Sequence, residues 1–138
     1  MRNKPSVPVG GSLDANILLR WLLGDIPEQQ KSVDKLLSKG ACFHVSDLAI
    51  IEVAFILEKL LGFDRELISD NLFQIIDHQQ MRSNQGLFSV AVPYYVGHPK
   101  LSLVDCCLAA YAELQNAVPL WTFDKKLGAQ HSSAKVLG

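Results

Sequence analysis

Short apolar runs alternate with longer amphipathic stretches along this chain, and no other feature of the sequence limits its fold so strongly. Residues 41–45 (ACFHV) read as a short strand. It lies between a helix over 27–39, with Val33, Leu36 and Leu37 facing inward, and a helix opened by Ser46. Residues 118–122 read as a buried strand following a helix over 102–115. Strands linked through helices pair in parallel, so the pattern predicts an α/β chain: a three-layer α/β/α sandwich with a mainly parallel central sheet.

The remaining segments fit that frame with differing force. A first strand through Val7, Val9 and Leu13 is opposed by Pro5, Pro8, Gly10 and Gly11. Asp14-Ala15-Asn16 opens a helix over 17–23 that Gly24 ends. The Ser46 helix ends near Gly62, and an amphipathic helix over 64–78 follows, with Leu67, Ile68, Leu72, Ile75 and Ile76 on one stripe. Residues 79–85 are polar and read as a loop with room for a short strand. Residues 86–96 carry helical spacing interrupted by Pro93, and 135–137 read as a last edge strand. No repeat, linker or low-complexity tract interrupts residues 1–138, which are read as a single domain.

Thirteen Lys and Arg against fourteen Asp and Glu leave a formal charge of −1, so no global basic field points to a non-specific nucleic-acid coater. No apolar run reaches the roughly 20 residues of a membrane span. Met1-Arg2-Asn3-Lys4-Pro5 leads into no signal-peptide core. Three cysteines, two of them adjacent, form no disulfide framework, and the expected setting is the reduced cytoplasm.

Four of the fourteen acids stand in apolar sequence where strands end or helices begin. Asp14 follows the first strand and Asp124 follows Leu120-Trp121-Thr122-Phe123. Asp105 lies in Leu103-Val104-Asp105-Cys106-Cys107-Leu108. Glu52 is the one polar side chain in residues 48–57, a run expected to form a helix buried over most of its circumference. A buried carboxylate needs a partner, and Leu48, Ala49, Phe55 and Ile56, three and four positions away, supply none. Ligands of parallel sheets bind beyond the carboxyl ends of the strands, where all four acids are expected to arrive. Structural roles stand beside this one: Asp14 also suits a helix cap, Ser102-Leu103-Val104-Asp105 also fits a capping box, and Asp124 also suits a surface turn.

Gathered together, such carboxylates repel by about 4 kcal/mol per pair at ~4 Å in an effective dielectric near 20, unless protons or a cation intervene. Oxygen-only ligands favour Mg²⁺ or Mn²⁺ over zinc, and such an ion equips a site for phosphodiester hydrolysis.

Residues 12–20 (SLDANILLR), Ser46-Asp47-Leu48 leading to Glu52, residues 101–105 (LSLVD) and residues 121–127 (WTFDKKL) resemble, in order, the motifs of PIN-domain ribonucleases. The likeness is to the small VapC-type toxins of bacterial toxin–antitoxin pairs. That resemblance implies a metal-dependent endoribonuclease with Asp14, Glu52, Asp105 and Asp124 as its catalytic and metal-binding quartet. It makes Asp14 and Asp105 the main ligands of Mg²⁺ or Mn²⁺, and Asn16 and Thr122 the supporting polar residues. It also implies an RNA substrate, a small antitoxin partner and a homodimer.

The scattered histidines His44, His78, His98 and His131 suggest no zinc site, and Cys106 and Cys107 read as small core hydrophobes. Trp21 and Trp121 read as core, with the alternative of stacking on a base. Arg20, Lys125 and Lys126 flank the acids and either hold phosphates or form a solvated face. The competing functional reading is a non-catalytic module of the same fold, built around a structural metal or a protein partner. A phosphoacceptor domain is disfavoured because Asp14 stands beside Ala15 rather than a second acid.

Overall fold

Every strand pairing in the computed structural model is parallel. The structure describes residues 7–138, and the leader reading at residues 1–5 lies outside the described residues. The chain divides into two compact units, Met1–Gln85 and Gly86–Gly138.

The first unit runs β1 (Val9–Ser12), α1 (Ala15–Leu23), α2 (Pro27–Leu37), β2 (Cys42–His44), α3 (Asp47–Phe55), α4 (Arg65–Ile76) and β3 (Met81–Arg82). Its three strands lie in the order β1-β2-β3, so helices carry the chain between each pair of neighbours. The glycines expected to weaken the first strand are accommodated by it. A Cβ on Gly10 would meet the Phe43 ring at 2.8 Å and the Ala41 side chain at 2.9 Å. The β1–β2 register shifts between Val9 and Gly11. Glycine there permits the close approach of strand to strand. The α1 stop at Gly24 is as the sequence predicts: the residue is left-handed, φ 60°, and its N–H donates to Arg20 O. Leu18, Leu19, Val33, Phe43, Ile50, Val53, Leu72 and Ile75 are buried. Beyond α3 the helix continues as a π-helical turn, Ile56–Leu60.

The second unit contains α5 (Gln85–Gly97, from Gly86 on), α6 (Leu103–Leu114), β4 (Leu120–Thr122), α7 (Lys125–Gln130) and β5 (Ala134–Val136). β4 and β5 form their own two-stranded parallel sheet. Pro93 is carried inside α5 rather than ending it. α7 is an addition to the elements expected from sequence, which placed only a turn after Asp124. β4 is a second departure: it is half-exposed rather than buried, and Trp121 at its centre is exposed.

In this unit Tyr94 is sandwiched between two imidazoles, with ring centroids 3.8 Å from His98 and 4.1 Å from His131. The phenol donates to Gln130 O at 2.6 Å. His131 is buried, its Nδ1 accepts the Ser133 N–H at 3.1 Å, and its Nε2 lies 3.9 Å from Glu113 Oε1. Burial holds its pKa below the ordinary 6.5; Glu113 pulls upward and nearby His98 adds to the lowering. The unfolded chain therefore takes up this proton at a higher pH than the folded chain does. The corresponding stability is complete above about pH 6.5 and is lost as pH falls toward and through the folded-state value. Urea unfolding should show stability declining below pH 6.5, with this residue contributing at most about 1.4 kcal/mol per pH unit. His131→Gln should flatten that decline, and an unchanged pH profile would show that the ring does not titrate with folding.

Candidate functional site

β1 ends at Ser12, α1 begins at Ala15, and Asp14 occupies the junction with extended backbone, φ −85° and ψ 173°. Its Oδ1 accepts the Ile17 N–H at 2.9 Å, which is an N-cap bond. Beyond β2, Ser46 caps α3 in the same way, its Oγ accepting the Ala49 N–H at 3.1 Å. Two adjacent parallel strands thus deliver two helix starts to one edge of the first unit. There Ser12, Asp14, Ser46 and Glu52 line one open pocket of about 460 Å³, walled by Leu13, Ala15, Leu48 and Ala49.

Glu52 reaches that pocket by a different route from the one its sequence suggests. It is exposed rather than buried. The helix buries Ala49, Ile50, Val53 and Ala54 and leaves Leu48, Glu52 and Phe55 open, residues spaced i, i+4, i+7 along one face. The expectation that burial forces a partner on this carboxylate is therefore corrected: water can solvate it. What makes Glu52 notable is the pocket it shares with Asp14.

In the second unit Asp105 completes the capping box expected from its spacing. Its Oδ2 accepts the Ser102 N–H at 3.2 Å, while its own N–H donates to Ser102 Oγ at 3.1 Å. Asp124 caps α7, with Oδ1 accepting from Lys126 N–H at 2.9 Å and Leu127 N–H at 3.3 Å. Thr122 steadies this residue, because its Oγ1 accepts the Asp124 N–H at 2.9 Å. Asn16 instead lines a separate groove of about 370 Å³ with Ile17, Arg20, Gln29, Ser32, Val33 and Leu36. Arg20 is held by Asp25 at 2.8 Å.

Three of the four acids thus sit at helix N-termini, where backbone N–H groups need acceptors. Among the described residues, the second oxygen of each aspartate has no hydrogen-bond partner. The acids come as a pair in one pocket of the first unit and as two caps in the second. No group of three or more His, Cys, Asp or Glu side chains that could hold a metal is present among the described residues. In sequence Ser12 and Ser46 stand within the motifs that carry the family resemblance, Ser46 also as a cap, and neither reads as a site residue. Ser12 ends β1 and Ser46 lies two residues past β2, and that position is the signal that places both hydroxyls at the ligand-binding edge of a parallel sheet. Cys42, Cys106 and Cys107 are buried and form no disulfide among the described residues, and for Cys106 and Cys107 burial is as expected.

A family profile described as the PIN domain matches residues 12–130, from the pocket rim at Ser12 to the end of α7. The chain belongs to the PIN-domain family. No curated protein matches it. PIN domains are generally nucleases that act on RNA, and they generally use divalent metals. In this PIN chain the first-unit pocket offers two carboxylates and two hydroxyls. That all-oxygen set suits a hard divalent cation and is unsuited to zinc. No helix among the described residues is long and apolar enough to cross a membrane.

The caps separate structure from charge. Asparagine caps a helix about as well as aspartate, whereas alanine does not. Asp14→Asn should leave the urea midpoint nearly unchanged, and Asp14→Ala should lower stability by about 1 kcal/mol. Equal losses from both would show that the carboxylate charge itself holds the fold.

Proposed function

We propose that residues 1–138 act as one catalytic domain, a Mg²⁺- or Mn²⁺-dependent endoribonuclease, and that it is the VapC-type toxin of a toxin–antitoxin pair. The observation that carries this reading is that Asp14 and Glu52, far apart in sequence, line one open pocket inside the span that matches the PIN family. Asp14 and Asp105 are assigned as the main ligands, with Glu52 and Asp124 completing the set. When bound, the cation supplies charge neutralisation for phosphate oxygens and acidifies water for in-line attack.

The chain's own residues supply position. Each aspartate spends one oxygen on a bond at its helix start, which restrains the side chain and leaves the other oxygen available. Thr122 fixes the backbone on which Asp124 stands. Glu52, on an exposed face and anchored by no hydrogen bond among the described residues, is free to accept a proton from water or to orient it. An open pocket admits single-stranded or looped RNA, whose backbone can be splayed, more readily than a duplex. A cytoplasmic setting, a homodimer and a small antitoxin complete the proposal by family resemblance.

A second reading is favoured by one specific observation: three of the four acids have sufficient structural employment as caps. On that reading the chain is a non-catalytic PIN module. Incubation of total RNA with the protein and Mg²⁺ or Mn²⁺ distinguishes the two. The nuclease reading predicts cleavage that a chelator abolishes. It also predicts that Asp14→Asn and Asp105→Asn, while still folded, reduce cleavage by at least roughly 100-fold, the upper end for losing even an indirect metal partner. No cleavage by the parent chain with either ion, or equal cleavage by the Asn variants, would leave the module reading in place.

A further inference from the structure

Residues 121–138 hold Lys125, Lys126 and Lys135 against Asp124 alone, a formal balance of 3 − 1 = +2 in a chain whose total is −1. On this basic stretch stand two aromatic side chains that the fold leaves in water. Trp121 in β4 is 55% exposed and Phe123, two residues on, is 78% exposed, while Thr122 between them is half-buried. Lys135 lies directly across from Trp121 in the β4–β5 pairing, and its Nζ sits 5.6 Å from the indole centroid. That distance is within cation–π range and holds a positive charge beside the ring. Lys125 and Lys126, both exposed, follow Asp124 at the start of α7.

Exposed aromatic rings among lysines are what single-stranded nucleic acid requires. Every base has a π-face to stack, and the phosphates between bases meet the ammonium groups. A duplex hides its base faces and would meet only the charges. We propose that Trp121 and Phe123, flanked by Lys125, Lys126 and Lys135, form a stacking platform for single-stranded RNA. The platform deepens the nuclease reading and rests on it for the choice of RNA, since it lies immediately before Asp124 in the chain. A substrate stacked on Trp121 and Phe123 would pass its backbone alongside that carboxylate.

Trp121 is itself the reporter, because the chain has one other tryptophan, Trp21, which Trp21→Phe removes. With chelator present to prevent cleavage, the Trp21→Phe chain is titrated with oligouridine of about a dozen nucleotides, within the usual span of such sites. The platform predicts saturable quenching of Trp121 emission by the single strand and weaker binding of the same strand annealed to oligoadenosine. Phe123→Ala should weaken binding about 5- to 150-fold, the range for loss of one stacked base. Lys135→Ala should weaken it and lower the salt dependence by about 0.7 in log–log slope. Anisotropy of labelled oligouridine with Trp21 intact gives the same comparison should Trp21→Phe disturb the fold.

Unchanged emission and anisotropy would overturn the platform, as would equal binding of duplex. So would Phe123→Ala converting a self-associated chain to monomer without altering RNA affinity, because the patch would then join two copies. Binding without cleavage in the Mn²⁺ assay would sink the nuclease reading and leave the platform standing. In an active chain, Trp121→Ala should raise KM for RNA with little loss of kcat, whereas cleavage with unaltered KM would overturn the platform.

Discussion

A helix start exposes backbone N–H groups that need acceptors, and this requirement organises the candidate site. Asp14, Asp105 and Asp124 meet it at the starts of α1, α6 and α7, and Ser46 meets it at α3. Each aspartate's bond holds a carboxylate at a helix start, where backbone N–H groups need acceptors. One oxygen is committed to the helix and the other is left over. The local chemistry that begins each helix therefore also concentrates negative charge, and a structural cap and a metal ligand need not be rival descriptions of one residue.

Much of this was legible in the chain. Gly24, Gly40 and Gly62 mark helix ends, the Ser102–Asp105 spacing announces a capping box, and the alternation of short runs with helices gives parallel pairing. Capping and periodicity act over three or four residues, so sequence carries them directly. The motif order that resembles PIN ribonucleases is matched by the family profile over residues 12–130.

What the sequence concealed depends on facing. Residues 48–57 read as buried over most of the helix circumference because a hydrophobic count does not show which stripe packs; Leu48, Glu52 and Phe55 form the open one. Trp121 read as core for a similar reason, since an apolar run containing a tryptophan also describes a half-exposed strand. Gly10 argued against a strand by propensity, yet the approach of Phe43 and Ala41 leaves no room there for a side chain. α7 is short, and its cap at Asp124 also satisfies the pattern of a plain turn. At Gly10 tertiary packing overrides a local preference, whereas the other misses turn on which face packs or on a signal that two elements share.

The proposed nuclease chemistry needs Asp14, which shares one open pocket with Glu52, to ligate a divalent cation. Calorimetric titration of the folded protein with Mn²⁺ tests that directly. An Mn²⁺ ligand at Asp14 predicts binding that Asp14→Asn weakens by at least roughly 10-fold while the fold is kept. Binding by folded Asp14→Asn indistinguishable from the parent, or no binding by the parent, would contradict it.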